Sequence, residues 1–415
     1  MYLGKITGNI IVGQSGGPTA AINASLAGVY KAGKDAGAEK VFGMLHGIQG
    51  LLEGKLIDLS EKITCDLDLE LLKRTPAAYL GSCRYKLPDY NKDTKDYEKL
   101  FQILKEQEIY AFFYIGGNDS MDSIRKLSEY GELLKSPIRF IGIPKTIDND
   151  LEITDHTPGY GSAAKFIAAS TKEIIRDSLV YNQKNLTIIE IMGRHAGWLT
   201  AAAALAKGND CEGADRIYLP EKDFDKDVFL KDITALQKEK KSLVIAVSEG
   251  IHLADGRFVC ELSDKDFYVD EFGHTMLTGA GAYLSALVKR EIGCKTRAIE
   301  LNTLQRCASH IASLTDIEEA FEVGKRGVIA ATAGVTGVMA VIKRVSDSPY
   351  LCTYETHNIK EIANMEKKVS LSWIKEEEDG MSEEFLRYAK PLIMGEVMPV
   401  MVNGLPMHLE YVSER

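Results

Sequence analysis

Along this chain short apolar runs alternate with stretches whose apolar residues recur every three to four positions. Residues 9–12 read as a strand that meets the polar turn Gly13-Gln14-Ser15-Gly16-Gly17-Pro18-Thr19, and residues 20–36 are alanine-rich at helical spacing. Residues 97–105 again read as helix. Residues 109–115, Ile-Tyr-Ala-Phe-Phe-Tyr-Ile, are hydrophobic throughout, as a strand buried on both faces must be. Gly116-Gly117-Asn118-Asp119-Ser120 follows, then a helix to about residue 130. The pattern continues with a strand at 140–143, a helix at 162–177, a strand at 186–191, an alanine-rich helix at 197–206 and a strand at 243–247. Strand, loop and helix repeated this often predict an α/β fold, parallel sheets with helices on both faces.

No fixed-period repeat or low-complexity linker marks a boundary. A first sheet unit is expected to end near Pro158-Gly159-Tyr160-Gly161, and a second to run to about Asn302. The chain then returns to the first unit through a helix at 317–327 and a strand at 335–345. Residues 360–384, with Lys-Lys and Glu-Glu-Glu-Asp runs, are expected to form a solvated helical extension.

Composition narrows the function classes. A chain of 415 residues is long for one core, so two domains are expected. A net charge of −10 with no basic block argues against nucleic acid as a partner, and requires any anionic substrate to be met by a local cluster of Lys and Arg. The seven cysteines are odd in number, scattered and without a CxxC pair, which is usage of a reduced compartment. No signal-peptide layout opens the chain, and no apolar run approaches the roughly 20 residues needed to span a membrane. The expectation is a cytoplasmic protein.

Chemistry gathers in three loops. Gly142-Ile143-Pro144-Lys145-Thr146-Ile147-Asp148-Asn149-Asp150 brings two carboxylates, a lysine and a hydroxyl to the end of a strand, where parallel sheets place their ligands. That mixture suits an anionic group attacked by a hydroxyl: the cation holds charge and a carboxylate takes the proton. The pairs Gly16-Gly17 and Gly116-Gly117 leave backbone N–H groups able to face phosphate oxygens. Asn118-Asp119 at the tip of a buried strand suggests a Mg²⁺ held through phosphate.

The chain resembles the phosphofructokinases, the A-type superfamily of sugar-phosphate kinases, over nearly its whole length. The matching segments are QSGGPTAAIN, LGSCR, IGGNDS, GIPKTIDND, IMGRHAGWL, VSEG and TRAIELNTLQR, in family order. The resemblance implies two Rossmann-like three-layer parallel-sheet domains. One, residues 1–158 completed by about 307–350, would bind the donor phosphate. The other, 159–306, would bind the sugar phosphate, leaving 351–415 as a C-terminal extension. Two positions look like the pyrophosphate-dependent branch: Asp119 and Lys145 stand where users of ATP carry or usually carry glycine. A carboxylate at the first place repels and crowds a nucleotide α-phosphate, and a lysine at the second neutralises the terminal phosphate of a short donor.

The roles implied by the resemblance are these. Asp148 would be the base that takes the proton of the fructose 6-phosphate C1 hydroxyl, with Asp150 ordering the site. Lys145 and Thr146, with Gly16 and Gly17, would hold the transferring phosphoryl, and Arg84 and Asp119 would lie at the donor phosphates. Met192, Gly193, Arg194 and Glu249 would meet the sugar, with Thr146, Asp148 and Lys184 beside it, and Arg194 would lie near the phosphate as well, as a fourth catalytic residue with Asp148, Asp150 and Lys145. Arg297 and Arg306 would grip the 6-phosphate. The metal would sit at Asn118 and Asp119. Part of the phosphate pocket would come from a second subunit of a homodimer or homotetramer. Three features depart from the family pattern: Asn118 replaces the expected aspartate, Thr303 replaces a His or Tyr, and Lys184 replaces an arginine. Ala27 takes the place of a regulatory cation although Lys31 remains basic, so weak or absent nucleotide regulation is expected. The expected reaction is reversible phosphoryl transfer from pyrophosphate to the C1 hydroxyl of fructose 6-phosphate. The rivals are ATP as donor, sedoheptulose 7-phosphate as acceptor, and a non-catalytic regulatory subunit.

Overall fold

A computed structural model describes residues 3–262, 279–362, 365–375 and 380–411. The chain divides into two compact units. The first comprises the described residues of Met1–Ser162, Arg306–Glu366 and Met394–Arg415; the second those of Ala163–Gln305 and Lys367–Ile393. Residues 351–415 are thus shared between the units.

In the first unit the strands are β1 (Asn9–Gln14), β2 (Val41–Met44), β3 (Leu56–Asp58), β4 (Ile109–Gly116) and β5 (Arg139–Pro144). In the second they are β6 (Asn185–Ile191), β7 (Arg216–Tyr218), β8 (Ser242–Ser248) and β9 (Lys295–Glu300). The chain then adds β10 (Val338–Asp347) and β11 (Tyr350–Asn358) to the first unit.

The first sheet runs β11-β10-β5-β4-β1-β2-β3. Its five central strands are parallel, as the repeated strand-loop-helix pattern predicts, and its two edges are antiparallel. At one edge the reason is local: two residues join β10 to β11, which is enough for a hairpin and far too short for a parallel crossover. Strand β4 shows why the central runs are apolar throughout. Ala111, Phe113 and Ile115 point to a core built with Ile22, Leu26, Val323 and Val328, from helices Ile22–Asp35 and Leu314–Thr332. Phe112 and Tyr114 point the other way, to Leu100, Leu104, Met121 and Ile124 from helices Lys95–Glu106 and Asn118–Leu133. The unit is therefore a helix–sheet–helix sandwich.

The order also fixes where a ligand can go. The chain leaves β1 toward β2 on one side and reaches β4 on the other, so the carboxyl ends of β1 and β4 flank a topological switch point. The loops after β1, β4 and β5 all emerge at that edge.

The second unit carries the parallel sheet β7-β8-β6-β9, with β9 at an edge. Leu186, Ile188, Ile245 and Val247 pack with Phe229, Ile233, Leu284 and Val288 from helices Lys226–Glu239 and Ala280–Glu291. The alanine-rich helix expected at 197–206 is α-helical only over Trp198–Ala201 and continues as a 3₁₀ turn over Ala202–Ala206.

The solvated helix expected at 360–384 is corrected by the structure. Apart from residues 363–364 and 376–379, which lie outside the described residues, it contains the 3₁₀ turn Leu371–Trp373 and short strands Ile374–Lys375 and Gly380–Met381, and helix begins only at Glu383. Its charges offer no apolar face to dock, whereas Trp373 does: the ring lies 5.9 Å from Trp198 and 5.3 Å from Tyr388.

Candidate functional site

The first unit gathers the residues that the sequence assigns to a phosphate donor. Gly116 ends β4 where a Cβ would come within 1.9 Å of Ser120 Oγ, so only glycine lets the chain turn into the helix at Asn118. Asp119 stands exposed in the first turn of that helix, where a carboxylate is favoured by the N-terminal dipole. After β1, Gly16 N–H donates to Cys83 O (3.3 Å) and Ser82 Oγ donates to Gly16 O (2.6 Å). These bonds join the loop carrying Arg84 to the loop carrying Gly16 and Gly17.

Lys145 is the pivot. Its side chain is only 2% exposed, an unusual place for an ammonium, and its Nζ donates to Gly17 O at 2.5 Å. A side chain on Gly16 would begin 3.5 Å from that nitrogen, and one on Gly17 would begin 3.4 Å from an Arg306 guanidinium nitrogen. Two further cations, Arg306 and Arg84, act on the Lys145 ammonium. Burial pulls Lys145 down to about 8; Asp148 and Asp150 oppose the shift, and Arg306 and Arg84 add to it.

Asp148 is shaped by its neighbours in the opposite sense. Its amide donates to Thr146 Oγ1 (3.1 Å), and that hydroxyl donates to Asp148 Oδ2 (3.3 Å). Burial pushes the carboxyl above its ordinary range, while Thr146, Lys145 and Arg306 pull it back. A carboxyl raised in this way is, once ionised, a better base than an ordinary aspartate. Asn149 turns the chain between the two acids with φ of +54°, a left-handed conformation that asparagine tolerates.

The second unit positions the residues assigned to a sugar. Met192 N–H donates to the buried Gln305 Oε1 (3.2 Å), and Gly193 N–H donates to Glu249 Oε1 (3.2 Å). Glu249 N–H donates to Ile191 O (2.9 Å) and Ser248 Oγ donates to Gly193 O, so the loops after β6 and β8 are laced together. A Cβ on Gly250 would lie 1.9 Å from Arg194 O; the glycine permits that approach. Arg194 is half-buried and His195 beside it is exposed. Lys184 and Arg297 lie apart from this lacework. Both are exposed, Lys184 just before β6 and Arg297 on the edge strand β9, where it reaches Asp177 at 3.4 Å.

The structure therefore brings Gly16, Gly17, Arg84, Lys145, Thr146, Asp148, Asp150 and Arg306 together in one unit. Met192, Gly193, Arg194 and Glu249 come together in the other, with Lys184 and Arg297 at its open edge. The family model of the phosphofructokinases matches residues 9–328. The chain belongs to the phosphofructokinase family. It is 40% identical over 402 residues to the pyrophosphate–fructose 6-phosphate 1-phosphotransferase of Halomonas elongata, covering 96% of this chain and 94% of that protein. The namesake protein of Xanthomonas campestris is 41% identical over 409 residues, covering 98% and 96%. The crystal structure of the pyrophosphate-dependent phosphofructokinase from Nitrosospira multiformis superposes with a TM-score of 0.87 at 37% identity, covering 97% of each chain.

Phosphofructokinases generally need a divalent cation, and the residues present suit one. Asn118 Oδ1 is buried and has no hydrogen-bond partner, while its Nδ2 donates to Asp150 Oδ2 at 3.4 Å. Among the described residues no cluster of three or more His, Cys, Asp or Glu could enclose a metal. Hard oxygen donors without a closed cage fit a cation that takes its other ligands from phosphate.

Two buried polar residues that the sequence left unassigned also brace these loops. Gln305 lies in the TRAIELNTLQR segment without a role assigned there, and nothing in its sequence context points to the Met192 amide. Asn149 was legible in principle, since asparagine between two loop aspartates marks a left-handed turn.

Proposed function

We propose that this phosphofructokinase transfers the terminal phosphoryl group of pyrophosphate to the C1 hydroxyl of fructose 6-phosphate, reversibly, to give fructose 1,6-bisphosphate and phosphate. The observation that carries the reading is the buried ammonium of Lys145 on the same short loop as the raised carboxyl of Asp148. A phosphate-binding cation and a proton acceptor three residues apart are what attack by an alcohol on a small polyanion requires. The names of the full-length relatives support the same donor and acceptor.

In the proposed reaction the C1 oxygen forms a bond to the terminal phosphorus and the bridging P–O bond breaks. The hydroxyl proton passes to Asp148, and phosphate leaves with the bridging electrons. Lys145, Thr146, Arg306 and the Gly16-Gly17 backbone hold the transferring phosphoryl as charge spreads over its oxygens. Arg84 binds the donor's outer charge, and Asp119 excludes a nucleotide α-phosphate. Arg194 and Glu249 orient the sugar. Lys184 and Arg297 hold its 6-phosphate, and their open position suits a pocket completed by a second copy in a homodimer or homotetramer. Mg²⁺ is the proposed cation, held by Asn118, Asp119 and donor phosphate; when bound it neutralises phosphate charge. Among the described residues no helix is long and apolar enough to cross a membrane; the proposed setting is the cytoplasm.

The test is formation of fructose 1,6-bisphosphate by the purified chain with Mg²⁺ and fructose 6-phosphate, comparing pyrophosphate with ATP. Turnover with pyrophosphate and not ATP is expected. Turnover with ATP alone would overturn the donor reading, and binding of fructose 6-phosphate without turnover would leave a regulatory subunit.

The two shifted groups also predict a bell-shaped pH dependence of kcat/KM for pyrophosphate. Lys145 must carry its proton and Asp148 must not. The basic limb is therefore expected as pH rises through about 8, and the acid limb above the ordinary carboxylate range. A rate still flat well above pH 9 would remove Lys145 from the donor site.

A further inference from the structure

The loop that carries Asp148 is held from outside by a segment that no motif assigns. Three hydrogen bonds tie it to residues 157–158. Thr146 N–H donates to Pro158 O (3.2 Å), Thr157 Oγ1 donates to Thr146 O (2.9 Å), and Thr157 N–H donates to Asn149 Oδ1 (3.0 Å). They bracket Asp148 on both sides.

That segment is gripped in turn by one helical face. Asp316, in the first turn of helix Leu314–Thr332, accepts Gly159 N–H at Oδ1 (2.8 Å) and Ser162 N–H at Oδ2 (2.9 Å). Glu319, three residues on and so on the same face, meets His156 Nε2 at Oε2 (2.5 Å). The other ring nitrogen of His156 meets Asp155 at 2.7 Å, and Asp155 accepts the Arg344 guanidinium at 2.9 Å. Asp316, Glu319 and His156 are all buried. Two buried carboxylates one turn apart are costly unless their hydrogen bonds are made; here Asp316 bonds Gly159 and Ser162, and Glu319 bonds His156 and, at Oε1, the Tyr350 hydroxyl (2.7 Å).

We infer that Asp316 is a positioning residue for phosphoryl transfer: by fixing Gly159 and Ser162 it holds residues 157–158, and through them the loop that presents Asp148. The inference rests on the reading of Asp148 as the base. A plain alternative exists in the same geometry. Gly159 and Ser162 lie at the start of helix Tyr160–Ser178, so Asp316 would also serve as a remote N-terminal cap. A cap affects how much enzyme is folded; a positioning residue affects how fast the folded enzyme works.

The test uses Asp316→Ala and Asp316→Asn in the full chain, assayed with Mg²⁺, pyrophosphate and fructose 6-phosphate at a temperature well below each variant's melting point. Asp316→Ala is expected to lose kcat by roughly 100-fold, the scale of a misplacement of about an ångström, with KM for pyrophosphate little changed. Asp316→Asn keeps one acceptor oxygen and recovers most of the rate. Amide hydrogen exchange across residues 146–159 quickens in Asp316→Ala. An unchanged kcat with a lowered melting point would reduce Asp316 to a cap and overturn the inference, as would a lost kcat without faster exchange at 146–159. Asp148→Asn run in parallel separates the two readings. If it keeps full turnover the base assignment fails, while the exchange measurement still decides whether Asp316 holds the loop.

Discussion

Replacing Asp148 by asparagine is expected to lower kcat by roughly 10²–10⁴-fold, the range over which a positioned general base contributes. The amide has the same shape and can still accept from Thr146 Oγ1, but it cannot take a proton. KM should move little, because an uncharged hydroxyl is bound as well beside an amide as beside a carboxylate. Stability should hold or rise. Burial raises the Asp148 carboxyl, so the charged form is less favourable in the folded chain than in the unfolded one, and a neutral amide removes that cost. Steady-state rates with pyrophosphate and thermal melts of the two proteins check both halves. A variant that keeps its full rate would mean the proton goes elsewhere.

The second large effect belongs to Lys145. Lys145→Met fills similar space without charge, and is expected to cut kcat/KM for pyrophosphate by roughly 10²–10³-fold, the scale of losing one preorganised electrostatic contact. Its pH profile should also lose the basic limb near 8, because the group that titrates there is gone. Melting should be unchanged or higher. The ammonium is desolvated and crowded by Arg306 and Arg84, and its hydrogen bond to Gly17 O offsets only part of that cost. Rates across pH 6 to 10 for both proteins are the measurement. Persistence of the basic limb in Lys145→Met would assign it to another group.

Lys145 and Asp148 also show the difference between a site that can be read and one that must be folded. Their identity, order and place at a strand end stand in the sequence, and so does the kind of chemistry they suit. Their shifted acidities do not, since both arise first from burial, and Arg306 and Arg84, which reach the loop from distant parts of the chain, add to the fall of Lys145 while Arg306 opposes the rise of Asp148. Arg306 was read as a grip for the sugar's 6-phosphate; the structure sets it beside Gly17 and Lys145, where its charge also acts on Asp148. His156, Glu319 and Asp316 look like ordinary polar residues in the sequence, and only the packing of helix Leu314–Thr332 against residues 156–162 gives them a task.

What the sequence determined by itself is the set of local structures. Strands β1, β4, β5 and β8, buried on both faces, announce themselves as apolar runs, because a parallel strand under helices has no polar side to reveal, while β6 is as buried but carries Thr187 and Glu190 within its run. Helices Ile22–Asp35, Lys95–Glu106, Asn118–Leu133, Tyr160–Ser178 and Leu314–Thr332 follow from spacing, and the three loops from their glycines and charges; Lys226–Glu239 and Ala280–Glu291 are not among the helices read from it. What tertiary structure decided is everything set by pairing between distant segments. That includes the antiparallel edges β3 and β11, the 3₁₀ and hairpin geometry in the charged stretch after β11, the lacing of Gly193 to Glu249, and the brace behind Asp148. Periodicity reports which face of an element is buried but not what covers it, and electrostatic tuning depends on what covers it.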